Sequence, residues 1–266
     1  MAASTYLAPT DPFNGKVAVV TGASSGLGRA VARMLAARGA AVVCCDLQEQ
    51  PVEDGFDSDA SLSTVEAIAA AGGSAVFAKA DVSRERDLAD AVALAAERYG
   101  GLDAMVNNAG VWPGFATVLD EREADLDRVL AINLKGVYFG CRQAIEQMRR
   151  QGRGGRIVNI SSIAGLVGLP REPAYSASKA ALIGLTRQMA VDFGPEEIAV
   201  NAVCPGFLAT ALSRSTLGAN PVHGLTPWPR MGTAEDAAEA TVFLASDAAA
   251  FINGAVLTVD GGYTAR

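Results

Sequence analysis

Tyr175 and Lys179 stand four residues apart in the stretch Tyr175-Ser176-Ala177-Ser178-Lys179, a spacing that puts two side chains on one face of a helix. A phenol gives up its proton near ~10, too high for efficient proton transfer at neutral pH. An ammonium close by favours the phenolate and lowers that value. The pair could then give a proton to a forming alkoxide or take one from an alcohol. Alone, a surface tyrosine beside a solvated lysine would be the plainer reading. Ser161-Ser162 shifts the balance, because Ser162 lies thirteen residues before Tyr175 and directly follows an apolar run of strand length. Open α/β sheets place their ligands at such strand ends.

A second group could hold a diphosphate. The segment Thr21-Gly22-Ala23-Ser24-Ser25-Gly26-Leu27-Gly28 joins the first apolar run to a helical stretch. Glycines let a backbone turn sharply and approach a pyrophosphate, whose charge is met by N–H groups at the helix start. The spacing, Gly-x3-Gly-x-Gly, departs from the common Gly-x-Gly-x-x-Gly fingerprint, and a tight strand-to-helix junction alone can require glycine. Position adds weight: Asp46 ends the second apolar run about 20 residues on, where a carboxylate accepts hydrogen bonds from an adenosine ribose.

Strands and helices in strict alternation would carry these residues. Val- and Ile-rich runs recur at Lys16–Thr21, Ala41–Cys45, Ser74–Lys79, Asp103–Asn107, Arg156–Ser161, Ile198–Cys204 and Ala255–Val259. They lack strict alternation of apolar and polar residues, as parallel strands buried on both faces do. Helical stretches fall between them at Gly26–Arg38, Leu62–Ala71, Glu85–Tyr99, Glu123–Gln151, Ala174–Phe193 and Ala234–Ser246. The pattern predicts an α/β fold: a doubly wound, Rossmann-type sheet of seven parallel strands with helices on both faces. Residues 15–266 read as one dinucleotide-binding and catalytic domain behind a tail, 1–14. The acidic loop Leu47–Ser61 exceeds a tight connection, and 207–232 is long enough to cover a site as a lid.

Composition narrows the classes. A net charge of −7 over 266 residues argues against nucleic acid or an anionic membrane as partner. Nothing reads as a membrane span or a secretory signal, so a cytoplasmic enzyme is expected. With one histidine, His223, and no Cys-x-x-Cys pair, no metal site is expected. Cys44, Cys45, Cys141 and Cys204 read as small buried hydrophobes, the first two on opposite faces of a strand.

Taken together, Thr21–Gly28, Asn107-Asn108-Ala109-Gly110, Asn133, Ser162, Tyr175-x-x-x-Lys179 and Pro205-Gly206 resemble, in order and approximate spacing, the short-chain dehydrogenase/reductase family in its single-domain branch. The resemblance runs from about Lys16 to Gly262. It implies hydride transfer between NAD and a secondary alcohol or ketone. Tyr175 would be the general acid or base, Ser162 would orient and polarise the substrate oxygen, Lys179 would hold the nicotinamide ribose and shift the tyrosine, and Asn133 would complete a proton relay. It further implies that Gly22, Ser24, Ser25, Gly26, Leu27 and Gly28 surround the diphosphate, with Asp46 and Leu47 at the adenosine ribose. Asp81 and Val82 would meet the adenine, and Asn108, Ala109 and Gly110 would line the cofactor. Pro205, Gly206, Phe207, Leu208 and Thr210 would stand at the nicotinamide end, with Tyr175 and Lys179. For Asn107, Asn108 and Pro205 a structural role stays open, as it does for Asn133 taken alone.

Family members commonly form tetramers, and a homotetramer is expected here, through Glu123–Gln151 with Ala174–Phe193 and through the last strand with Asp260–Tyr263. NAD is favoured over NADP because Asp46 would face a 2′-phosphate and Leu47 and Gln48 supply no cation; Arg29, just past the glycine turn, is the residue that could swing toward such a phosphate. An NADPH-dependent 3-oxoacyl-thioester reductase is the runner-up, opposed by Asp46 and by an acidic loop with no basic dock for a carrier. An enoyl reductase fits less well, since those relatives space tyrosine and lysine more widely. A non-catalytic dinucleotide-sensing module would need a lost catalytic residue, and none is lost. A mainly apolar pocket is expected from Trp112, Pro113, Ile163, Ala164, Leu169, Arg171, Glu172, Phe207, Leu208 and Trp228. Arg171 could clamp an anion, although a solvent-facing arginine paired with Glu172 is the plainer reading.

Overall fold

The computed structural model describes residues 12–52, 57, 59–210 and 226–266. Among these, seven strands form one parallel sheet: β1 (Val17–Thr21), β2 (Ala41–Asp46), β3 (Ser74–Lys79), β4 (Ala104–Asn107), β5 (Gly155–Ile160), β6 (Ile198–Pro205) and β7 (Val256–Val259). Each begins and ends within one residue of its expected bounds. The sheet order is β3-β2-β1-β4-β5-β6-β7. The chain winds outward from β1 to β3, returns past β1 to β4, and winds the other way. That reversal opens a crevice beyond the carboxyl ends of β1 and β4, where such sheets hold ligands.

Alternate residues of each strand feed two cores. Ala18, Val20, Val42, Cys44 and Val106 pack with α1 (Gly26–Ala37) and with Ala234–Ala245, called α7 here. Val17, Val19, Val43, Cys45 and Met105 pack with α3 (Glu85–Tyr99), α5 (Val137–Gln151) and α6 (Pro173–Phe193) on the other face. Cys44 and Cys45 thus point to opposite faces, and all four thiols are free and buried. A short α2 (Thr64–Ala70) precedes β3, closed at its start by a reciprocal Ser63–Glu66 capping box. No helix among the described residues is long and apolar enough to cross a membrane.

The stretch expected as one helix, Glu123–Gln151, differs from that reading. It runs as α4 (Glu123–Val129), a π-helical interval Leu130–Gly136, and α5. Apolar periodicity does not reveal such an interval, and π turns concentrate at functional sites. This one carries Asn133. The expected tail, 1–14, lies mostly outside the described residues, as does 211–225 of the expected lid.

Candidate active site

The glycine turn is held by its neighbours as much as by its own freedom. Gly22 has φ +65, the left-handed region that favours glycine. A Cβ at Gly28 would stand 2.0 Å from Gly22 O and 2.5 Å from Asn108 Nδ2. Asn108 Nδ2 donates to Thr21 O (2.9 Å) and Gly22 O (3.2 Å). The Thr21 hydroxyl accepts from the backbone N–H groups of Asn108 (2.9 Å) and Ala109 (3.0 Å). Thr21, which sequence reasoning gave no role, is therefore the joint between the turn and β4; its placement at the end of β1 was the available signal. Asn107 is structural, its Nδ2 donating to Asn159 Oδ1 (2.9 Å) and Cys141 Sγ (3.3 Å) in the core.

Ser25 gives the start of α1 no side-chain cap, so first-turn N–H groups stay open to an anion. A carboxylate already sits there: Gly26 N–H donates to Asp57 Oδ2 at 3.1 Å. Ser25 Oγ accepts from Val52 N–H (2.8 Å) and Ser24 Oγ donates to Gln48 O (2.6 Å), which draws the acidic loop over the turn. Asp46 Oδ2 accepts from Ser24 N–H (3.0 Å) and Oδ1 from Leu47 N–H (2.8 Å). Arg29 does not reach toward this edge. It is buried, donating to Thr64 Oγ1 (3.1 Å) and to Asp59 O (3.2 Å) and Oδ1 (3.0 Å). Arg33 also pairs with Asp59, at 2.9 Å. Burial opposes ionisation of Asp59, but the two guanidiniums outweigh it and hold the carboxyl below its ordinary value.

Ser162, Tyr175 and Lys179 meet at the far end of the same cleft, and Asn133 lies behind them. Lys179 is buried; its Nζ donates to Ile160 O (2.8 Å) and lies 5.7 Å from the centre of the Tyr175 ring. Asn133 Oδ1 accepts from Val111 N–H (2.8 Å), and its Nδ2 donates to Val111 O (2.9 Å) and Ser178 Oγ (3.3 Å). A Cβ at Gly110 would stand 3.4 Å from Asn133 Oδ1 and 3.5 Å from Lys179 Nζ, so both polar ends flank one spot. Ser161 serves the backbone, donating to Lys179 O at 2.7 Å. Ser162 Oγ accepts from Ala164 N–H at 3.1 Å and faces Tyr175.

The electrostatics correct one expectation. Tyr175 is partly open to the cleft, yet the protein packed around it pushes the phenol up to about 12, against an opposing hydrogen bond with Ser162. Lys179 is itself brought down to about 8 by burial. The ammonium sits over the ring face, turned toward Ile160 O, and does not lower the phenol. Spacing gave the shared helix face; it could not give the desolvation of both groups.

One cleft of about 580 Å³ takes in the whole arrangement, from Asp46 and Leu47 through Gly22, Ser24, Ser25, Gly26 and Leu27 to Ser162, Tyr175 and Lys179. Its size is ordinary for a ligand site. Asp81, Val82, Asn108, Ala109, Gly110, Pro205, Gly206, Phe207, Leu208 and Thr210 also line it. Gly28 stays behind the turn. Of the expected pocket residues, Trp112, Ile163, Leu169 and Glu172 join the lining with Phe207 and Leu208, while Pro113, Ala164, Arg171 and Trp228 do not. Arg171 forms no ion pair with Glu172; it is exposed and donates to Phe115 O at 3.4 Å. Gln48, Gln50 and Val52 were missed as lining because they lie in the loop, where periodicity gives no placement. The uncapped helix start, the close glycine turn and the long cleft fit a nicotinamide dinucleotide.

Fold and site thus define a dinucleotide-dependent oxidoreductase. A family model described as "Enoyl-(Acyl carrier protein) reductase" matches residues 22–264. The chain is 42% identical to cis-4-hydroxycyclohexanecarboxylate dehydrogenase of Sinomonas cyclohexanicum, over 96% of this chain and 99% of that protein. It is 40% identical to 2-(S)-hydroxypropyl-CoM dehydrogenase 3 of Xanthobacter autotrophicus, over 94% and 97%. A crystal structure of a short-chain type dehydrogenase/reductase from Mycobacterium marinum superposes with a TM-score of 0.87 at 32% identity, covering 96% of this chain and 97% of that one. The chain belongs to the short-chain dehydrogenase/reductase family, whose members use a nicotinamide cofactor, NAD or NADP.

Proposed function

We propose that the protein is an NAD-dependent dehydrogenase that oxidises secondary alcohols or, in reverse, reduces ketones. The observation that carries this reading is the meeting of Tyr175, Ser162 and the buried Lys179 at one end of a cleft whose other end holds Asp46. The cofactor, when bound, supplies the hydride chemistry. Ser162 Oγ orients the substrate oxygen. Tyr175 Oη gives or takes the proton at that oxygen. Lys179, seated on Ile160 O, would hold the nicotinamide ribose, and Asn133 anchors the segment after β4 at Val111, which flanks the relay. Similarity to relatives named for hydroxy substrates supports oxidation of a carbon bearing a hydroxyl.

Preference for NAD rests on charge. Asp46 takes the ribose edge beside Leu47, and Arg29, the arginine that could have met a 2′-phosphate, is committed to Asp59 and Thr64. Like charges a few ångströms apart cost on the order of several kcal/mol at an effective dielectric near 20. A preference of ~100-fold needs only ~2.7 kcal/mol. Secondary alcohols and ketones assayed by NADH and NADPH absorbance test both halves of the proposal. We expect turnover with NAD(H), about 100-fold less efficient with NADP(H), and a narrower gap in Asp46→Ala. Absence of turnover on every alcohol and ketone would overturn the reaction, and equal efficiencies would overturn the cofactor.

We further propose a homotetramer in the cytoplasm. Val118, Leu119, Leu126, Tyr138 and Val191 are exposed on or just before α4, α5 and α6, and Phe243, Phe251 and Leu257 are exposed on α7, before β7 and on β7. These two apolar groups support the two interfaces expected from the family. Light scattering at micromolar concentration should give four times the chain mass; a monomer would refute it.

A further inference from the structure

At the substrate end, two polar groups have work that the hydride reaction does not use. Glu172 sits at the position just before α6, about one turn before Tyr175, with no capping bond from its side chain, and its half-buried carboxyl lines the cleft. Trp112 stands beside it in the cleft wall, its buried indole Nε1 making no hydrogen bond of good geometry but lying close enough to the Glu172 carboxyl to interact with it. Burial raises the Glu172 pKa, and a loosely aligned hydrogen bond from the Trp112 indole offsets part of that rise. No cation pairs with Glu172 among the described residues.

The local backbone holds this carboxylate in place. Arg171 has φ +64, a left-handed conformation uncommon outside glycine, and such strain clusters at ligand sites. Pro173 follows Glu172 and fixes the first helical position. Arg171 O accepts from Ala116 N–H at 2.9 Å, and its guanidinium donates to Phe115 O, which ties the segment carrying Trp112 to the one carrying Glu172. Trp112 also stacks edge-on with Phe115, ring centres 4.9 Å apart.

We propose that Glu172 and Trp112 form a second recognition point, which binds a neutral hydroxyl on the substrate next to the carbon that reacts. The inference rests on the alcohol-oxidation reading above and names its substrate class: diols and hydroxy-ketones. The chemistry selects the hydroxyl. Its O–H donates to the Glu172 carboxylate while its oxygen accepts from Trp112 Nε1, so one group satisfies both. An ammonium can only donate, so it competes with the indole for the carboxylate and offers Nε1 no acceptor of its own. A carboxylate can only accept and meets Glu172 as a like charge. This sets the chain apart from its relative named for a hydroxycyclohexanecarboxylate.

The test compares substrates built on one six-membered ring, with the full chain and NAD: cyclohexanol, cis-1,2-cyclohexanediol, 2-aminocyclohexanol and 2-hydroxycyclohexanecarboxylate. A hydrogen bond to a charged group corresponds to about tenfold or more in kcat/KM. The diol should lead cyclohexanol by about that factor, and the carboxylate should trail it. In Glu172→Ala and Trp112→Phe the diol-to-cyclohexanol ratio should fall about tenfold and severalfold, and Glu172→Gln should lift the carboxylate relative to cyclohexanol. Oxidation of cyclohexanol with no advantage for the diol would overturn this inference and leave the alcohol reading standing. So would a uniform loss on all four substrates in Glu172→Ala, which is what a merely structural glutamate gives. A lead for the amino alcohol would overturn the hydroxyl assignment. Failure to oxidise any of the four would instead strike the alcohol reading itself.

Discussion

A methyl group added at Gly28 would stand 2.0 Å from Gly22 O, whereas one added at Gly168, near the substrate end, would meet nothing within 4 Å. The two ends of the cleft are built by different means. The cofactor end comes from backbone brought into close contact, with Thr21 and Asn108 tying β1 to β4. The wall at the substrate end comes from side chains on separate segments, Trp112, Ser162, Leu169, Glu172 and Phe207, with close backbone contact behind it where Gly165 meets Lys179. Close backbone contact demands particular residue types in one short run. A pocket wall of side chains demands little more than shape and polarity, and so leaves room for different substrates on one frame.

The sharpest way to break this comparison is Gly28→Ala. Backbone cannot yield as a flexible side chain does, so we expect a loss of about 3 kcal/mol or more, at the upper end for overpacking, and weaker NADH binding. Thermal melts with a fluorescence titration check it; a native-like melt would mean that the turn is looser than described.

Lys179 extends the comparison to charge. The folded protein releases its proton near about 8 against 10.5 for an ordinary lysine. The unfolded chain keeps the proton across that window, so unfolding takes one up and stability rises with pH between the two values. The cofactor-free protein should gain about 3 kcal/mol relative to Lys179→Met as pH climbs through this range. Melts of both proteins at stepped pH decide it, and parallel curves would contradict the burial of a titrating amine.

These cases show what residue types alone could convey. The seven strands were legible because buried parallel strands demand unbroken Val and Ile runs, and Tyr175, Lys179 and Ser162 were legible because their spacing has few other uses. The π interval at Asn133 was not, since seven residues between two α-helical stretches are too few for apolar spacing to separate a π turn from an α turn. The commitment of Arg29 to Asp59 was not, because it joins residues thirty positions apart through a loop without regular pattern. The raised Tyr175 phenol was not, because desolvation depends on what folds around it.

A smaller effect is expected at Asp57, whose carboxylate holds Gly26 N–H in the anion seat of α1. Asp57→Asn should tighten NADH binding by about threefold to tenfold, the scale of one charge at a helix start, as measured by calorimetry. Unchanged affinity would mean that the acidic loop does not compete with the cofactor. The smallest effect belongs to Gly168→Ala, which should stay within about 0.5 kcal/mol in denaturant melts. A larger loss there would erase the contrast between the two ends.

The central claim is that Tyr175 carries the proton for a hydride transfer on a carbon bearing oxygen. Tyr175→Phe keeps the ring over which Lys179 lies and removes only the hydroxyl. Steady-state turnover on an accepted alcohol, read by NADH absorbance with NADH affinity measured on the same sample, tests it most directly. We expect a fall in kcat of about 10²–10⁴-fold, the range for a general acid or base, with NADH still bound. Turnover within a few-fold of the parent protein would contradict it.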